Sequence, residues 1–566
     1  MSIYLGIHDG HNSAAALFMD GKIVYALQEE RLTGIKNFFG FPEKSVDEIL
    51  KMANISPEQI DKVCMASNYQ ATARDPRSFT EDFENRYKTK LRHKLLRGVL
   101  GSALWEEIRV KQRTRQRKKL MQGWSISEDK AHFYDHHTAH AATAYYGMKE
   151  DNNPYLVLTL DGGGDRLSAS VSIGKNGKLK RIAETPQTDS LGEIYAVTTH
   201  MLGFIPLEHE YKLMGMAAYA SPKYSREIAE IFHQYIALDT DNPMVMKRKV
   251  SEPLSLIGSR LQEDLQRKRF DVICAGLQQF TEEIITDWVK QCIRKTGIDR
   301  VLVAGGVFMN VKANKTISEL PEVKYFQAFP SCGDESLVFG TCYLAANEAD
   351  EEIKPIKHYY FGNDISEKEC QQALMGSGYQ VEKPDNMAQV VADLLAKGEV
   401  VARASGPMEF GARALGNRSI IADPINGDVV REINQMIKKR DFWMPFAPVL
   451  LKRNTDEVFK NPKNLPSSYM MNTFDSTDKR TEYMAAVHNA DFTARPQIVE
   501  PGQSKGYEDI LEEFEKLTGR KVLLNTSFNL HGLPIVCRAL DALYVMKHSS
   551  INWLILGPYL VSKKGI

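Results

Sequence analysis

Apolar residues in this chain gather in short runs that end in glycine and acid. IYLGI, residues 3–7, runs into the polar loop HDGHN, and two further apolar segments, AAALFMD and GKIVYALQEE, meet at Asp20-Gly21. An aspartate–glycine pair between two such segments predicts a β-hairpin, because both residues tolerate the positive φ of a tight reversal. The plan recurs at 154–165, where PYLVLTLDGGGD carries an apolar strand into a glycine-rich acidic loop. LSASVSIGKNGKLKRIAE follows, with Asn176-Gly177 as its turn. VLVAGGVFMN, residues 301–310, is a third strand feeding glycines and then a helix. Three such joints predict one nucleotide-handling α/β domain made of two related halves, although no repeat is visible residue by residue.

The pattern changes across residues 349–363, ADEEIKPIKHYYFGN, where an acidic run and Pro355 close a helix. Beyond it, MAQVVADLLAKG, EVVARASG and KVLLNTSFN supply a fresh set of helices and strands. The expected domains are therefore 1–355 and 365–566, the second long enough to fold as an α/β unit of its own.

Charge is balanced, with 72 Lys and Arg against 72 Asp and Glu over 566 residues, so no global bias toward nucleic acid or membrane exists. The exception is local: residues 86–119 carry 13 Lys or Arg against Glu106 and Glu107. This segment reads either as a solvated helix face or as a wall for an anionic substrate, partner or nucleic acid. The seven cysteines are scattered and never spaced as CxxC, which argues against a disulfide framework or a zinc ribbon and for free thiols in a reducing cytosol. No basic leader precedes an apolar core, and no apolar run approaches the ~18 residues of a membrane helix, so a cytoplasmic enzyme without membrane contact is expected.

The densest chemistry lies in YDHHTAHAA, residues 134–142. His136 and His140 are four apart and share a helix face, whereas His137 matches His140 less well. Two imidazoles on one face suit a divalent metal, and they equally suit a core or a proton shuttle; the spacing alone decides nothing. Carboxylates stand at suitable joints: Asp161 and Asp165 in the DGGGD loop, and Asp334 in PSCGDES. An acid at the end of a strand points into the crevice where ligands bind in α/β folds. Gly162, Gly163, Gly305 and Gly306, with Asn310, would let backbone N–H groups approach a nucleotide's phosphates.

These stretches, taken in order with EYKLMGMAAY, GPMEFGARALGNRSI, KKRDFWMPFAP, DFTARPQ and LLNTSFNLHGLPIVC, closely resemble the O-carbamoyltransferase family that includes nodulation and antibiotic (tobramycin-type) enzymes. The resemblance spans nearly the whole chain. It implies an N-terminal domain similar to the tRNA threonylcarbamoyladenosine transferase, an actin-like ATPase fold. It also implies a C-terminal α/β domain similar to threonylcarbamoyl-adenylate synthase. In the family scheme the C-terminal domain makes carbamoyl-adenylate from carbamoyl phosphate and ATP. The N-terminal domain, holding an iron-type divalent ion, then passes the carbamoyl group to an acceptor hydroxyl. The ligands carried over are His136, His140, Asp161 and Asp334, with Mg2+ as a further candidate ion for the nucleotide.

His11 matches the family's histidine and is the candidate base, with Asn12 standing where the family has aspartate. Lys36 matches a family lysine suited to developing negative charge. Arg413, Arg418, Lys438, Arg440 and Arg495 are the candidate grips on carbamoyl phosphate and ATP, since guanidinium forks bind phosphate oxygens in pairs. Asn525 and Ser527 add neutral hydrogen bonds. Met444 replaces a family arginine and Phe492 a family glycine. The expected acceptor is a small metabolite or natural product. A second reading keeps the chemistry and moves it to a hydroxymethylated base in DNA or another polynucleotide, reached through the basic segment. A third is a non-catalytic nucleotide-binding assembly protein. A homodimer is admitted.

Overall fold

The computed structural model describes residues 2–69, 103–425, 427, 431, 433–434 and 441–563. The chain divides into two compact units, Met1–Glu29 with Asn37–Ile356, and Glu30–Lys36 with Lys357–Ile566.

In the first unit β1 (Ile3–His8), β2 (Ala14–Met19), β3 (Lys22–Gln28), β4 (Lys62–Ala66) and β5 (Ala131–Tyr134) form one sheet in the order β3-β2-β1-β4-β5. β1 runs antiparallel to β2 and parallel to β4, and β4 runs parallel to β5. All six residues of β1 are buried, as an apolar run covered on both faces should be. The hairpin turns at Asp20-Gly21, where both φ values are positive (52° and 80°), the geometry of a type I′ turn.

A second sheet repeats the plan. β6 (Tyr155–Gly164), β7 (Leu167–Lys175) and β8 (Lys178–Pro186) form its antiparallel part, and β11 (Arg300–Ala304) and β12 (Tyr325–Ala328) its parallel part, in the order β12-β11-β6-β7-β8. A small hairpin, β9 (Ile236–Leu238) with β10 (Met246–Arg248), lies between in sequence. The two sheets thus share one topology, a duplication that the strand-to-glycine joints foreshadow.

Each half lends a helix to the other. His136–Met148 follows β5 of the first sheet yet packs on β6, β7 and β11 of the second, while Leu337–Glu348 follows β12 and packs on β1, β2 and β4. The two helices meet so closely that a Cβ on Gly340 would lie 1.9 Å from the Ala139 carbonyl oxygen. This exchange brings the start of the first helix to the ends of strands in the second sheet.

The second unit is also α/β. Its eight-stranded mixed sheet has the order β13-β23-β22-β14-β15-β21-β16-β20. The strands are β13 (Gln380–Glu382), β14 (Val401–Ala404), β15 (Arg418–Ala422), β16 (Ala447–Leu451), β20 (Gln497–Val499), β21 (Leu523–Ser527), β22 (Trp553–Leu556) and β23 (Tyr559–Ser562). A three-stranded sheet joins β17 (Phe459–Lys460), β18 (Phe474–Ser476) and β19 (Thr493–Ala494). The large sheet buries one core under helices Met387–Ala396 and Lys505–Thr518 and another under Ala539–Lys547. Among the described residues no helix is long and apolar enough to cross a membrane, and every cysteine is free and buried.

Candidate metal centre

Asp135 caps the helix His136–Met148, accepting the Thr138 N–H at 2.8 Å, which places His136 in the first turn and His140 one turn on. Asp161 stands at the end of the buried part of β6, and Asp334 opens the short helix Asp334–Ser336 after β12. The four side chains converge: one ligand atom from each lies within 4.8 Å of all the others. His136 Nε2 is 3.0 Å from Asp161 Oδ2 and 3.6 Å from Asp334 Oδ1; His140 Nε2 is 3.5 Å from both oxygens. The imidazoles are sealed, with 2% and 0% of their side chains exposed, whereas Asp161 and Asp334 retain 14% and 27%. The carboxylate side is thus the open one.

Burial alone would lower His136, but the Asp334 and Asp161 carboxylates outweigh it and lift the imidazole to about 9. His140 is raised too: Asp161 and Asp334 overcome burial and its neighbour His136. Asp161, although buried, is held well below the usual carboxylate range by the two imidazoles. Two imidazole nitrogens and two carboxylate oxygens, half-sealed and converging, form a donor set that fits a first-row divalent ion with positions left for ligand oxygens.

His137 is turned away. It is fully buried against β6, with Nδ1 2.8 Å from Thr159 Oγ1, and burial pushes it down to about 3. Asp165 serves the backbone: its carboxylate accepts the N–H groups of His136 (2.9 Å), Asn68 and Tyr69 (2.8 Å each). Two glycines are required by contact with the cluster itself. A Cβ on Gly164 would lie 2.2 Å from His136 Cγ, and one on Gly306 2.9 Å from Asp161 Oδ1. A Cβ on Gly163 would meet the Gln187 side chain, while Gly162 has nothing within 4 Å. Gly305 adopts φ +103° against the Leu160 carbonyl. Asn310 caps the helix Val311–Glu319 and exchanges two hydrogen bonds with Gln278.

His11 lies three residues past β1, half-buried, and pairs with Phe39 in an isolated bridge. Sequence reasoning passed over its neighbour His8. That imidazole is fully buried, with Nε2 3.1 Å from the His11 carbonyl oxygen and 3.8 Å from Asp334 Oδ2; burial pushes it down to about 4. The signal was a second histidine in the same HDGHN loop. Lys36 is half-buried in the segment Glu30–Lys36 that groups with the second unit.

In the second unit Arg418 is fully buried. Its guanidinium donates to the carbonyls of Gly406, Asn417, Asn363 and Cys537, so its fork is directed at the fold's own backbone. Arg413 and Arg495 are half-buried. Asn525 donates to Ala414 O and Gln497 Oε1, and Ser527 to Asn529 Oδ1. Lys438 and Arg440 lie outside the described residues, as do residues 86–102 of the basic segment. The rest of that segment belongs to the helix Ala103–Met121. There Arg113 donates to the Tyr69 carbonyl, and Arg117 is buried against Asp9 and the carbonyls of Ala66 and Ser67.

Comparison with known proteins gives two family matches, "Carbamoyltransferase N-terminus" over residues 3–342 and "Carbamoyltransferase C-terminus" over residues 392–563. Nodulation protein NolNO of Sinorhizobium fredii is 30% identical over 569 residues, covering 98% of this chain and 79% of the relative. Nodulation protein NolO of Bradyrhizobium diazoefficiens is 30% identical over 76% of this chain and 79% of its own length. Nodulation protein U of Sinorhizobium fredii is 26% identical over 70% and 73% respectively.

Proposed function

The chain belongs to the carbamoyltransferase family, and on that premise we propose an ATP-dependent O-carbamoyl transfer in two stages. In the first, carbamoyl phosphate loses phosphate to water, and the carbamate oxygen attacks the α-phosphorus of ATP, releasing pyrophosphate and leaving carbamoyl-adenylate. In the second, the oxygen of an acceptor hydroxyl on a small metabolite attacks the carbamoyl carbon. AMP departs, and the hydroxyl proton passes to a base.

The first stage is assigned to the second unit, where Arg413, Arg495, Lys438 and Arg440 bind phosphate oxygens, Asn525 and Ser527 line the same site, and buried Arg418 holds its carbonyls in place. The second stage is assigned to the first unit. There His136, His140, Asp161 and Asp334 hold a divalent ion, preferentially Fe2+, which when bound supplies Lewis acidity toward phosphate or carbonyl oxygen. His11 takes the acceptor proton. The N–H groups at Gly163 and Gly306 donate to phosphate oxygens, whereas those of Gly162 and Gly305 donate to Asp161 Oδ1 at 2.7 Å and to the Cys332 carbonyl at 3.0 Å.

The convergence of two imidazoles and two carboxylates at strand ends carries this reading. Incubation with carbamoyl phosphate, ATP and ferrous ion, followed by mass spectrometry of candidate hydroxyl acceptors, tests it. A carbamoyl adduct matched by acceptor-dependent AMP release is expected. ATP turnover that ignores carbamoyl phosphate, or no turnover with any hydroxyl, refutes it. A polynucleotide acceptor draws less support, because Arg113 and Arg117 of the basic helix face the protein's own backbone.

A further inference from the structure

We infer that Ser67 is a positioning residue for the metal centre and that the basic helix Ala103–Met121 holds Ser67 in place. The inference rests on reading His136, His140, Asp161 and Asp334 as an ion site. Ser67 comes directly after β4, is 2% exposed, and places Oγ 2.9 Å from His136 Nδ1. The opposite ring nitrogen, Nε2, is the one that faces Asp161 and Asp334. A neutral imidazole that offers Nε2 to an ion carries its proton on Nδ1, and here that proton has an acceptor, the serine hydroxyl oxygen. The hydrogen bond selects the tautomer and fixes the ring plane, as partners behind metal-binding histidines generally do. His140 lacks this support: its Nδ1 has no hydrogen-bond partner among the described residues. One imidazole of the pair is therefore aimed from behind, through one hydroxyl.

Ser67 is itself held tightly. Its φ is +66°, a left-handed conformation that a non-glycine residue keeps only where its surroundings impose it. The Ser67 N–H donates to the Tyr134 carbonyl at 2.8 Å. Arg117 donates to the Ser67 and Ala66 carbonyls at 2.6 and 2.7 Å, and its Nε lies 2.9 Å from Asp9 Oδ2. The next two N–H groups, of Asn68 and Tyr69, donate to Asp165, which also accepts the N–H of His136. Residues 67–69, Asp165 and His136 thus close a ring of hydrogen bonds behind the ligand, and an arginine from the basic helix clamps it. This gives that arginine a purpose that charge counting did not supply.

Ser67→Gly removes the hydroxyl while suiting the positive φ, so it isolates the hydrogen bond from the backbone. Zn2+ and Mn2+ affinities are measured by chelator competition on the full chain, alongside thermal melting. In the Zn2+-loaded protein, the downfield imidazole N–H resonance that disappears in His136→Ala reports the Nδ1 proton. Ser67→Gly is expected to weaken both ions by about 10- to 100-fold, to leave melting of the metal-free protein unchanged, and to lose the resonance to water exchange. Arg117→Lys keeps a cation beside Asp9, gives up the forked grip on the two carbonyls, and should show a smaller loss in the same direction. Wild-type affinity together with a retained resonance in Ser67→Gly overturns the positioning role while leaving the ion site standing. Failure of the wild type to take up either ion, with His140→Ala indistinguishable from it, overturns the ion site and this inference with it.

Discussion

Replacing Gly164 with alanine should dismantle the proposed metal centre without touching any of the four residues assigned to it. The new Cβ would lie 2.2 Å from His136 Cγ and 2.4 Å from both Cδ2 and Nδ1, whereas ordinary contact begins at 3.4 Å, so the ring must retreat by roughly 1.2 Å. A metal–nitrogen bond tolerates about 0.2 Å. His136 would then leave the cluster or twist off the Ser67 hydroxyl. Loss of one aligned ligand should weaken ion binding about 100-fold or more, which is about 2.8 kcal/mol. Gly162→Ala is the matched control from the same loop, since its Cβ has nothing within 4 Å. Divalent ion stoichiometry by elemental analysis and affinity by chelator competition, on both variants, separate the two positions. Equal affinity in Gly164→Ala and wild type, or equal losses in the two alanine variants, would show that contact with His136 is not what Gly164 provides.

Three further outcomes are expected. His140→Ala should lower metal content and abolish acceptor carbamoylation while ATP–pyrophosphate exchange with carbamoyl phosphate persists; joint loss of both activities counts against two separate sites. Arg418→Ala should destabilise the second unit by about 3 kcal/mol or more, because buried carbonyls lose their donor, whereas Arg413→Ala should remove exchange with a smaller shift in melting temperature. Arg117→Ala leaves buried Asp9 without its cation and should cost about 3–5 kcal/mol in urea unfolding. Arg115→Gln, on an exposed side chain of the same helix, should stay within about 0.5 kcal/mol and leave turnover of a small acceptor unchanged.

The cluster of His136, His140, Asp161 and Asp334 was legible in the sequence for a local reason. His136 and His140 share a helix face by spacing, and Asp161 and Asp334 sit where apolar runs give way to glycine. The resemblance supplied what spacing could not, that these belong together. What lies behind these four side chains was not legible. Ser67, Asp9 and Arg117 come from three stretches joined only by the pairing of β4 with β1 and by the docking of the helix Ala103–Met121. Arg418 shows the converse limit. In sequence an arginine that donates to carbonyls is identical to one that waits for phosphate, and only burial separates them. Asp165 read as one more carboxylate of a glycine loop, yet it accepts three backbone N–H groups. The duplication was visible as a rhythm of strands and turns, and its exchange of helices was not, because packing partners leave no mark on periodicity.

The segment Glu30–Lys36 has a consequence for how the molecule is made. It belongs with the second unit, yet about 320 residues of the first unit separate it from Lys357. At about 5–20 residues per second, a ribosome finishes these seven residues roughly 16–64 seconds before the rest of their unit begins to appear. Bringing them back closes a loop whose length-dependent entropy cost is about 5 kcal/mol in an unfolded chain. Prior folding of the first unit reduces that cost by fixing both ends of the loop. The order of synthesis therefore favours folding of the first unit before the second is completed, and a cut at residue 356 would yield a second unit lacking a piece of itself.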